Sequence, residues 1–140
     1  MAVRVRVAAL VMRGDKVLLV STRRGAPGYL VPPGGGLEDG ETLAEAVERE
    51  VREEAELEVR AGPLVAYREI VHEGRLSLEL YLRADLVAGA APPGGEDRRV
   101  SWVAMADLPR TPHFPDQLAD LCRAALAGYP GAVYLGRHGY

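Results

Sequence analysis

The sequence has almost no cysteine and no long uninterrupted apolar segment. The lone cysteine, Cys122, can form no internal disulfide and has no second thiol with which to build a zinc site. This usage agrees with a reducing compartment, and burial as a small apolar residue is the simplest role for the thiol. Because the N-terminal segment MAVRVRVAAL interleaves arginine with valine, the sequence predicts neither a signal peptide nor a membrane span. We therefore expect a cytoplasmic protein without membrane contact.

The charge balance lacks the basic surplus that is typical of nucleic-acid-binding proteins. The formal net charge is −3, and 48% of the residues are hydrophobic, as in an ordinary globular protein. A protein whose main partner is double-stranded nucleic acid needs a dominant basic patch, so we do not expect that partner. The 140 residues can bury a core of their own, and they contain no internal repeat or linker. We predict a single domain over residues 1–140.

The pattern of apolar residues predicts a sheet that begins with a hairpin. Apolar residues alternate from Val3 and then continue to Met12, and the run VLLVS follows after a short break. Gly14-Asp15 lies between these runs and is a two-residue hairpin signal, with glycine where a type II′ turn prefers it. Further strand candidates are residues 58–71, 76–87 and 98–105, with a short one at 29–31.

Two segments have the periodicity of amphipathic helices. TLAE, which starts at Thr42, is a capping box in which the Thr42 hydroxyl caps the helix and Glu45 reaches back. The first helix should therefore run from Leu43 to about Ala55, and residues 114–127 predict a second one. The last twelve residues have no usable periodicity. Strands combined with one internal and one late helix indicate an α/β or α+β fold with a mixed sheet.

The first helix carries acidic residues along the border of its apolar face. At the α-helical period the stripe that faces the sheet consists of Leu43, Ala44, Val47, Val51 and Ala55. Glu50, Glu53 and Glu54 lie on the flank beside this stripe and not opposite it. We therefore expect these acids to be partly shielded from water.

Helical spacing assigns partners to some of these charges but not to all. The predicted pairs are Glu45 with Arg49, Glu48 with Arg52, and Arg49 with Glu53. Glu50 and Glu54 have no cation within helical reach, and like charges at this spacing destabilise a helix by about 0.2–0.5 kcal/mol. A remote arginine could neutralise the two acids on an ordinary structural helix, or a hard divalent cation such as Mg²⁺ could bind both carboxylates.

Residues 35–57, GGLEDGETLAEAVEREVREEAEL, resemble the Nudix box. In that box a glycine is followed after five residues by glutamate and after seven more by Arg-Glu-hydrophobic-x-Glu-Glu-x-Gly-hydrophobic. Here the glycine is Gly35, the glutamate is Glu41, and the core starts at Arg49. The one departure is Glu56, which stands where the family has glycine. We expect the helix to end differently there, or to run one residue longer, without loss of activity.

The resemblance implies a fold, a reaction and a class of partner. The fold is an α/β/α sandwich around a mixed sheet. The reaction is the Mg²⁺- or Mn²⁺-dependent hydrolysis of a pyrophosphate bond in a nucleoside diphosphate linked to another group. The partner is therefore a small nucleotide-type molecule, such as a nucleotide, a nucleotide sugar, ADP-ribose or a dinucleoside polyphosphate. A homodimer is compatible with the resemblance.

The resemblance also assigns roles within the box. Glu50 and Glu54 correspond to metal ligands, Glu53 to a further ligand or to the base, and the Gly35 carbonyl to an additional ligand. Glu41 and Arg49 resemble the pair that fixes the loop to the helix. The catalytic candidates are Glu41, Arg49, Glu50 and Glu53.

Residues outside the box leave several questions open. Glu79, on the polar face of a strand, and Glu96 or Asp97, in a loop, are alternatives for the general base. Arg23 and Arg24, before the glycine-rich loop, are candidates for binding substrate phosphates. Each of these five charged residues, taken alone, could instead be an ordinary solvent-exposed charge. The positions that mark ADP-ribose and dinucleoside polyphosphate enzymes in this family are not matched, so the substrate class is open. A catalytically weak or inactive nucleotide-binding regulatory module is the alternative function.

Overall fold

The computed structural model describes residues 2–21, 28–87, 100–128 and 131–139. The strands in these ranges are β1 Arg4–Arg13, β2 Lys16–Ser21, β3 Leu30–Val31, β4 Gly34–Gly36, β5 Val59–His72, β6 Arg75–Leu86, β7 Val100–Ala104 and β8 Val133–Gly139. The α-helices are α1 Leu43–Ala55 and α2 Leu118–Ala127, and a 3₁₀ helix covers Met105–Arg110. Within the described ranges no helix is long and apolar enough to cross a membrane.

The predicted opening hairpin is present. β1 and β2 pair antiparallel with Arg13 opposite Lys16, which leaves Gly14 and Asp15 as the two turn residues. Gly14 has a φ of 61°, the left-handed value that the first central residue of a type II′ turn needs. The glycine therefore occupies the position at which the turn requires one.

The strands form a mixed sheet with the order β3-β2-β1-β6-β5-β8. β1 with β6 and β5 with β8 are parallel, whereas β1 with β2, β5 with β6 and β2 with β7 are antiparallel. β1 connects the two halves, because its residues 4–11 pair with β6 and its last two residues pair with β2. This topology confirms the predicted mixed sheet.

The two α-helices cover opposite faces of the sheet. Val47 and Val51 of α1 belong to one buried apolar cluster, and Leu118 and Leu121 of α2 belong to another. Successive residues of β1 alternate between these clusters, as the pleat of a strand requires. The α/β/α sandwich is therefore confirmed, and β1 lies between both cores.

The glycine-rich segment contains a strand that the sequence analysis did not predict. β4 pairs with residues 6–8 of β1. A β-carbon on Gly34 would lie 2.2 Å from the Val7 carbonyl oxygen, so only glycine permits this close backbone approach. Glycine is rare in ordinary strands, which is why local propensity does not reveal β4.

Two other boundaries differ from the prediction. α2 begins at Leu118 and not at residue 114, so Phe114 and Pro115 precede the helix and line a cleft. β8 lies in the segment that shows no usable periodicity. It is an edge strand whose residues are exposed or half-buried, so it lacks the alternation of a strand with one buried face.

α1 has the predicted bounds and the predicted cap. The Thr42 hydroxyl accepts the Glu45 N–H, and the Glu45 carboxylate accepts the Thr42 N–H. The buried stripe differs from the predicted one, because Ala46 is buried whereas Leu43 and Ala44 are only half-buried. The apolar face therefore turns slightly further toward the acidic flank than the helical wheel suggests.

The residue that departs from the Nudix box does not change how α1 ends. α1 ends at Ala55, and Glu56 has φ 56° and ψ 33°, the left-handed conformation. Its N–H donates to the Arg52 carbonyl. The prediction of an altered or longer helix is therefore wrong. Glutamate adopts the conformation that glycine favours, at a cost of about 1–2 kcal/mol for a residue with a β-carbon.

Candidate active site

Arg49 joins the loop before α1 to the helix. Its Nε donates to Glu41 Oε2 over 2.7 Å and its Nη2 to Glu41 Oε1 over 3.0 Å, which makes a bidentate pair. Nη2 also donates to the Gly36 carbonyl over 3.1 Å. The hydrogen bond with Arg49 lowers the pKa of Glu41, and the hydrogen bond with Glu41 raises the pKa of Arg49. This geometry is consistent with the predicted loop-fixing role.

Arg49 also contacts the acids of its own helix. Its Nη1 donates to Glu50 Oε1 over 2.9 Å and to Glu53 Oε2 over 3.3 Å. The Arg49–Glu53 pair is confirmed, but the prediction that Glu50 has no cation within reach is wrong. Adjacent helical residues do not face each other, yet the long guanidinium side chain crosses that gap.

The predicted arginine partners of Glu45 and Glu48 are replaced by backbone amides. Glu45 accepts the Thr42 N–H over 3.2 Å, and Glu48 accepts the Ala61 N–H over 3.0 Å. A partly buried backbone amide needs an acceptor, and Glu48 supplies one that also ties α1 to β5. Spacing along a helix cannot identify a partner on another element.

Glu50 and Glu54 form an acidic pair against β4. Glu50 is only 9% exposed, and a β-carbon on Gly35 would lie 2.4 Å from its Oε1, so the glycine makes room for the carboxylate. Glu54 accepts the Gly34 N–H and shares a hydrogen bond with Glu50. Burial, followed by the neighbouring Glu50, raises the pKa of Glu54 to about 8. Glu54 therefore keeps its proton at neutral pH in the metal-free protein.

The donor set of this pair fits a divalent cation. Two partly buried carboxylates one helical turn apart need either a proton or a cation between them. In the described part of the chain, no three Asp, Glu, His or Cys side chains converge closely enough to enclose an ion. Mg²⁺ commonly uses one or two carboxylates and takes its other oxygens from water and phosphate, so two carboxylates are enough.

The structure does not bring Glu53 into the pair. The Glu53 side chain is 58% exposed and contacts Arg49 at the rim of the site. Its assignment as a ligand or base, and that of the Gly35 carbonyl as a ligand, stay predictions. What the structure does show for Gly35 is its close approach to Glu50.

Glu79 belongs to a buried polar cluster on the sheet. Its Oε1 accepts hydrogen bonds from Arg68 Nε over 3.0 Å and from the Tyr81 hydroxyl, and Arg68 Nη2 lies 2.9 Å away. The side chain is only 13% exposed. The interpretation of Glu79 as a solvated charge is therefore wrong, because this face of β6 turns toward a cleft and not toward open water.

A cleft lies beside this cluster. Arg6, Arg68 and Glu79 contribute charged groups to its lining, and Phe114 contributes an aromatic ring. Gly34 is common to both sites, since it lines the cleft while its N–H reaches Glu54. The cleft and the acidic pair therefore adjoin at Gly34.

The Arg68–Glu79 pair was not predicted, although the sequence contains a signal for it. β5 and β6 are joined by Glu73 and Gly74, both with positive φ, as a two-residue type I′ turn requires. Counting outward from this turn places Arg68 opposite Glu79, and the structure has this register. Opposite charges at opposed positions predict a cross-strand ion pair.

Several candidates from the sequence analysis lie outside the described residues. They are Arg23, Arg24, Glu96 and Asp97. Their roles in phosphate binding or as the base stay predictions. Cys122 is described, and it is fully buried on α2, where burial raises the pKa of its thiol to about 12. This agrees with the expected apolar role.

Comparison with known proteins identifies the family. The NUDIX domain model matches residues 2–122. The NAD-capped RNA hydrolase NudC of Stutzerimonas stutzeri is 31% identical over 131 residues, which cover 91% of this chain and 43% of that protein. The chain therefore spans less than half the length of the curated relatives it matches.

Solved structures share the fold. The ORF135 protein of E. coli matches with a TM-score of 0.73 and 25% identity over 94% of this chain and 96% of that chain. A NUDIX hydrolase from Nitrosomonas europaea matches with the same TM-score and identity over 91% and 90%. Together with the family model, which covers most of the sequence, these matches show that the chain belongs to the Nudix hydrolase family.

Proposed function

We propose that this chain hydrolyses a pyrophosphate bond in a nucleoside diphosphate linked to another group, and that Glu50 and Glu54 hold the Mg²⁺ or Mn²⁺ ion. The observation that carries the proposal is the acidic pair. Glu54 keeps a proton at neutral pH because its carboxyl group is partly buried beside Glu50. An acidic pair in which one carboxyl group needs a proton or a cation is suited to holding a metal ion next to an anionic substrate.

The neighbouring residues support this reaction by positioning the pair. Arg49 fixes the Glu50 carboxylate and ties the helix to Glu41 and the Gly36 carbonyl. Glycine at position 35 lets the Glu50 carboxylate lie against β4. A bound divalent ion supplies charge neutralisation for the pyrophosphate and activates water at neutral pH. Glu53, at the exposed rim, is the candidate within the box for orienting that water.

The geometry of Glu56 argues against the alternative of an inactive regulatory module. Glu56 is the only departure from the Nudix box and so the only motif feature that favours this alternative. Because it adopts the conformation that glycine favours and still closes the helix through Arg52, α1 ends directly after Glu54 and Ala55 as a glycine cap would end it. We therefore retain the active hydrolase as the proposed function.

A substrate panel tests the proposal. Nucleoside triphosphates, ADP-ribose, nucleotide sugars and dinucleoside polyphosphates are incubated with the chain and Mg²⁺ or Mn²⁺. NAD and NAD-capped RNA are included because the name of a relative specifies a hydrolase of NAD-capped RNA. We expect turnover of at least one compound and its loss on addition of EDTA.

Two variants make the panel specific to the acidic pair. Glu50→Gln should lower turnover by about 100-fold or more, because it removes a charged ligand oxygen. Glu58→Gln is the matched control, since Glu58 is an exposed acid just beyond the helix and should leave turnover unchanged. No turnover of any compound, or full activity in Glu50→Gln, contradicts the proposal. Tight nucleotide binding without any product favours the regulatory alternative.

A further inference from the structure

The cleft beside the acidic pair has an apolar wall on which a flat ring can pack. Phe114 lines the cleft, remains 36% exposed, and stacks on Tyr29 with ring centroids 4.8 Å apart and planes 16° apart. The stacked partner holds the ring in place, so that it can pack against a planar ligand.

Glu79, which also lines the cleft, presents a carboxylate. Arg68 and Tyr81 both donate to Oε1 of Glu79, which anchors the carboxylate in one orientation. Oε2 forms an ion pair with Arg6, whose Nε lies 3.6 Å away. A carboxylate oxygen has two lone pairs and can accept a further hydrogen bond. A ligand that offers an N–H group to Oε2 would supply such a hydrogen bond.

The chemistry of Oε2 determines which ring it can accept. A carboxylate oxygen only accepts hydrogen bonds, so the facing group of the ligand must donate. The exocyclic amine of cytosine or adenine donates, whereas uracil and hypoxanthine have a carbonyl oxygen at the same ring position. That oxygen would face Oε2 without a proton between the two atoms and would be repelled. The site therefore distinguishes an amine from a carbonyl.

The position of the cleft suits the nucleoside part of the substrate. Gly34 lines the cleft and also donates its N–H to Glu54, so the two sites adjoin. A base bound between Phe114 and Glu79 can therefore direct its phosphates toward the acidic pair.

We propose that this cleft binds the base of the nucleotide substrate and that Glu79 selects bases with an exocyclic amine. The inference rests on the proposed function, because it names the class of nucleoside that the hydrolase acts on. Glu79 contacts the ligand directly in this account and determines specificity. Arg68 and Tyr81 are positioning residues, because they act through the orientation of Glu79.

Two pairs of nucleotides that differ at a single ring position test the selection. CTP is compared with UTP, and ATP with ITP, as ratios of kcat/KM with Mg²⁺. Binding of the monophosphates CMP, UMP, AMP and IMP is measured in EDTA, so that the cleft is tested without catalysis. We expect the amine-bearing member of at least one pair to be preferred by about tenfold or more, as for a hydrogen bond to a charged group. Equal binding within both pairs overturns the inference.

Glu79→Gln should reverse the selection and not merely weaken it. Because Arg68 and Tyr81 donate to one oxygen, the amide carbonyl takes the Oε1 position and the amide NH₂ group takes the position of Oε2. The variant then offers a donor, which suits uracil or hypoxanthine. We expect the amine-to-carbonyl ratio to fall by about tenfold or more. If Glu79 had a purely structural role, the substitution would lower kcat/KM equally for both members of a pair. That result overturns the inference.

Glu69→Gln is the matched control. Glu69 on β5 is likewise bonded to a tyrosine and an arginine, Tyr134 and Arg137, but it does not line the cleft. The amine-to-carbonyl ratio of the Glu69→Gln variant should equal that of the unsubstituted chain. Thermal melting of both variants checks that they fold, and the comparison on the unsubstituted chain needs no variant.

The two proposals fail separately. If the chain hydrolyses CTP and UTP equally well and ATP and ITP equally well, the hydrolase function stands and the selection by Glu79 is wrong. If no nucleotide is hydrolysed but the monophosphates show an amine preference that Glu79→Gln reverses, the base site stands and the hydrolase function is wrong.

Discussion

Gly35 and Glu50 lie so close together that a β-carbon on the glycine would be 2.4 Å from Oε1 of the glutamate. Van der Waals repulsion excludes such a distance, so one of the two groups must move if the glycine is replaced. The carboxylate is at the end of a flexible side chain and can move, whereas β4 is paired with β1 and cannot move easily. Replacing Gly35 should therefore displace the Glu50 carboxylate while leaving the fold intact.

Gly35→Ala should lower metal-dependent turnover by about tenfold or more while changing the melting temperature little, because it displaces the Glu50 carboxylate from its partners. Activity and thermal melting on the same samples measure the two effects. Gly36→Ala is the control, because its β-carbon would lie 3.0 Å from the end of the Arg4 guanidinium, an exposed group that can move away. Equal activity in both variants contradicts the prediction.

The raised pKa of Glu54 predicts how the stability of the metal-free protein depends on pH. The pKa is about 8 in the folded protein against an ordinary value of 4.5. Between these values the folded protein holds a proton that the unfolded chain releases, so the free energy of unfolding falls as pH rises. Urea unfolding in EDTA at about pH 5 and about pH 8 measures this slope. Glu54→Gln should flatten it, and an unchanged slope in this variant contradicts the assignment.

Protons and divalent ions should compete for the acidic pair. A metal ligand must be deprotonated, and Glu54 loses its proton only as pH approaches about 8. Mg²⁺ should therefore raise the melting temperature more at about pH 8.5 than at about pH 6, because an ion that binds the native state stabilises it in proportion to its affinity. Mg²⁺ should raise the melting temperature of the Glu50→Gln variant little at either pH. An increase that does not depend on pH contradicts the assignment.

Arg49→Lys tests whether the forked geometry of the guanidinium matters beyond its charge. An ammonium group cannot bind Glu41 bidentately and also reach Glu50 and the Gly36 carbonyl, so the loop and the helix should separate. We expect a loss of about 1–3 kcal/mol in the free energy of unfolding. We also expect a fall of about tenfold or more in turnover. Arg52→Lys, an exposed arginine on the same helix, should behave like the unsubstituted chain.

Glu56→Gly should stabilise the protein. Glycine adopts the left-handed conformation without the penalty of a β-carbon, although it adds freedom to the unfolded chain, so a net gain of about 0.5–1 kcal/mol is expected. Glu56→Ala keeps the β-carbon and should bring no such gain. Chemical unfolding measures both changes. A destabilising effect of glycine would show that the glutamate side chain makes a contribution larger than the strain.

Elements that depend on residues near one another in the chain were predictable. The first hairpin follows from a two-residue turn, and α1 follows from its capping box and apolar period. The Nudix box likewise lies within 23 successive residues, so spacing alone reveals the acids of α1. β4 and β8 were not predictable in this way. Glycine conceals β4, and the partly exposed edge position of β8 removes its periodicity.

The sequence by itself determined the family, the position of α1 and the surplus of acid beside its apolar face. Only the tertiary structure decided the partners of those acids. Arg49 donates a hydrogen bond to Glu50, and a backbone amide of β4 donates one to Glu54. Arg68 donates to Glu79, which lines a cleft. Each of these outcomes depends on burial, on a neighbouring element or on the reach of a long side chain. Spacing within one helix or strand does not specify those quantities, because they arise when distant segments pack together.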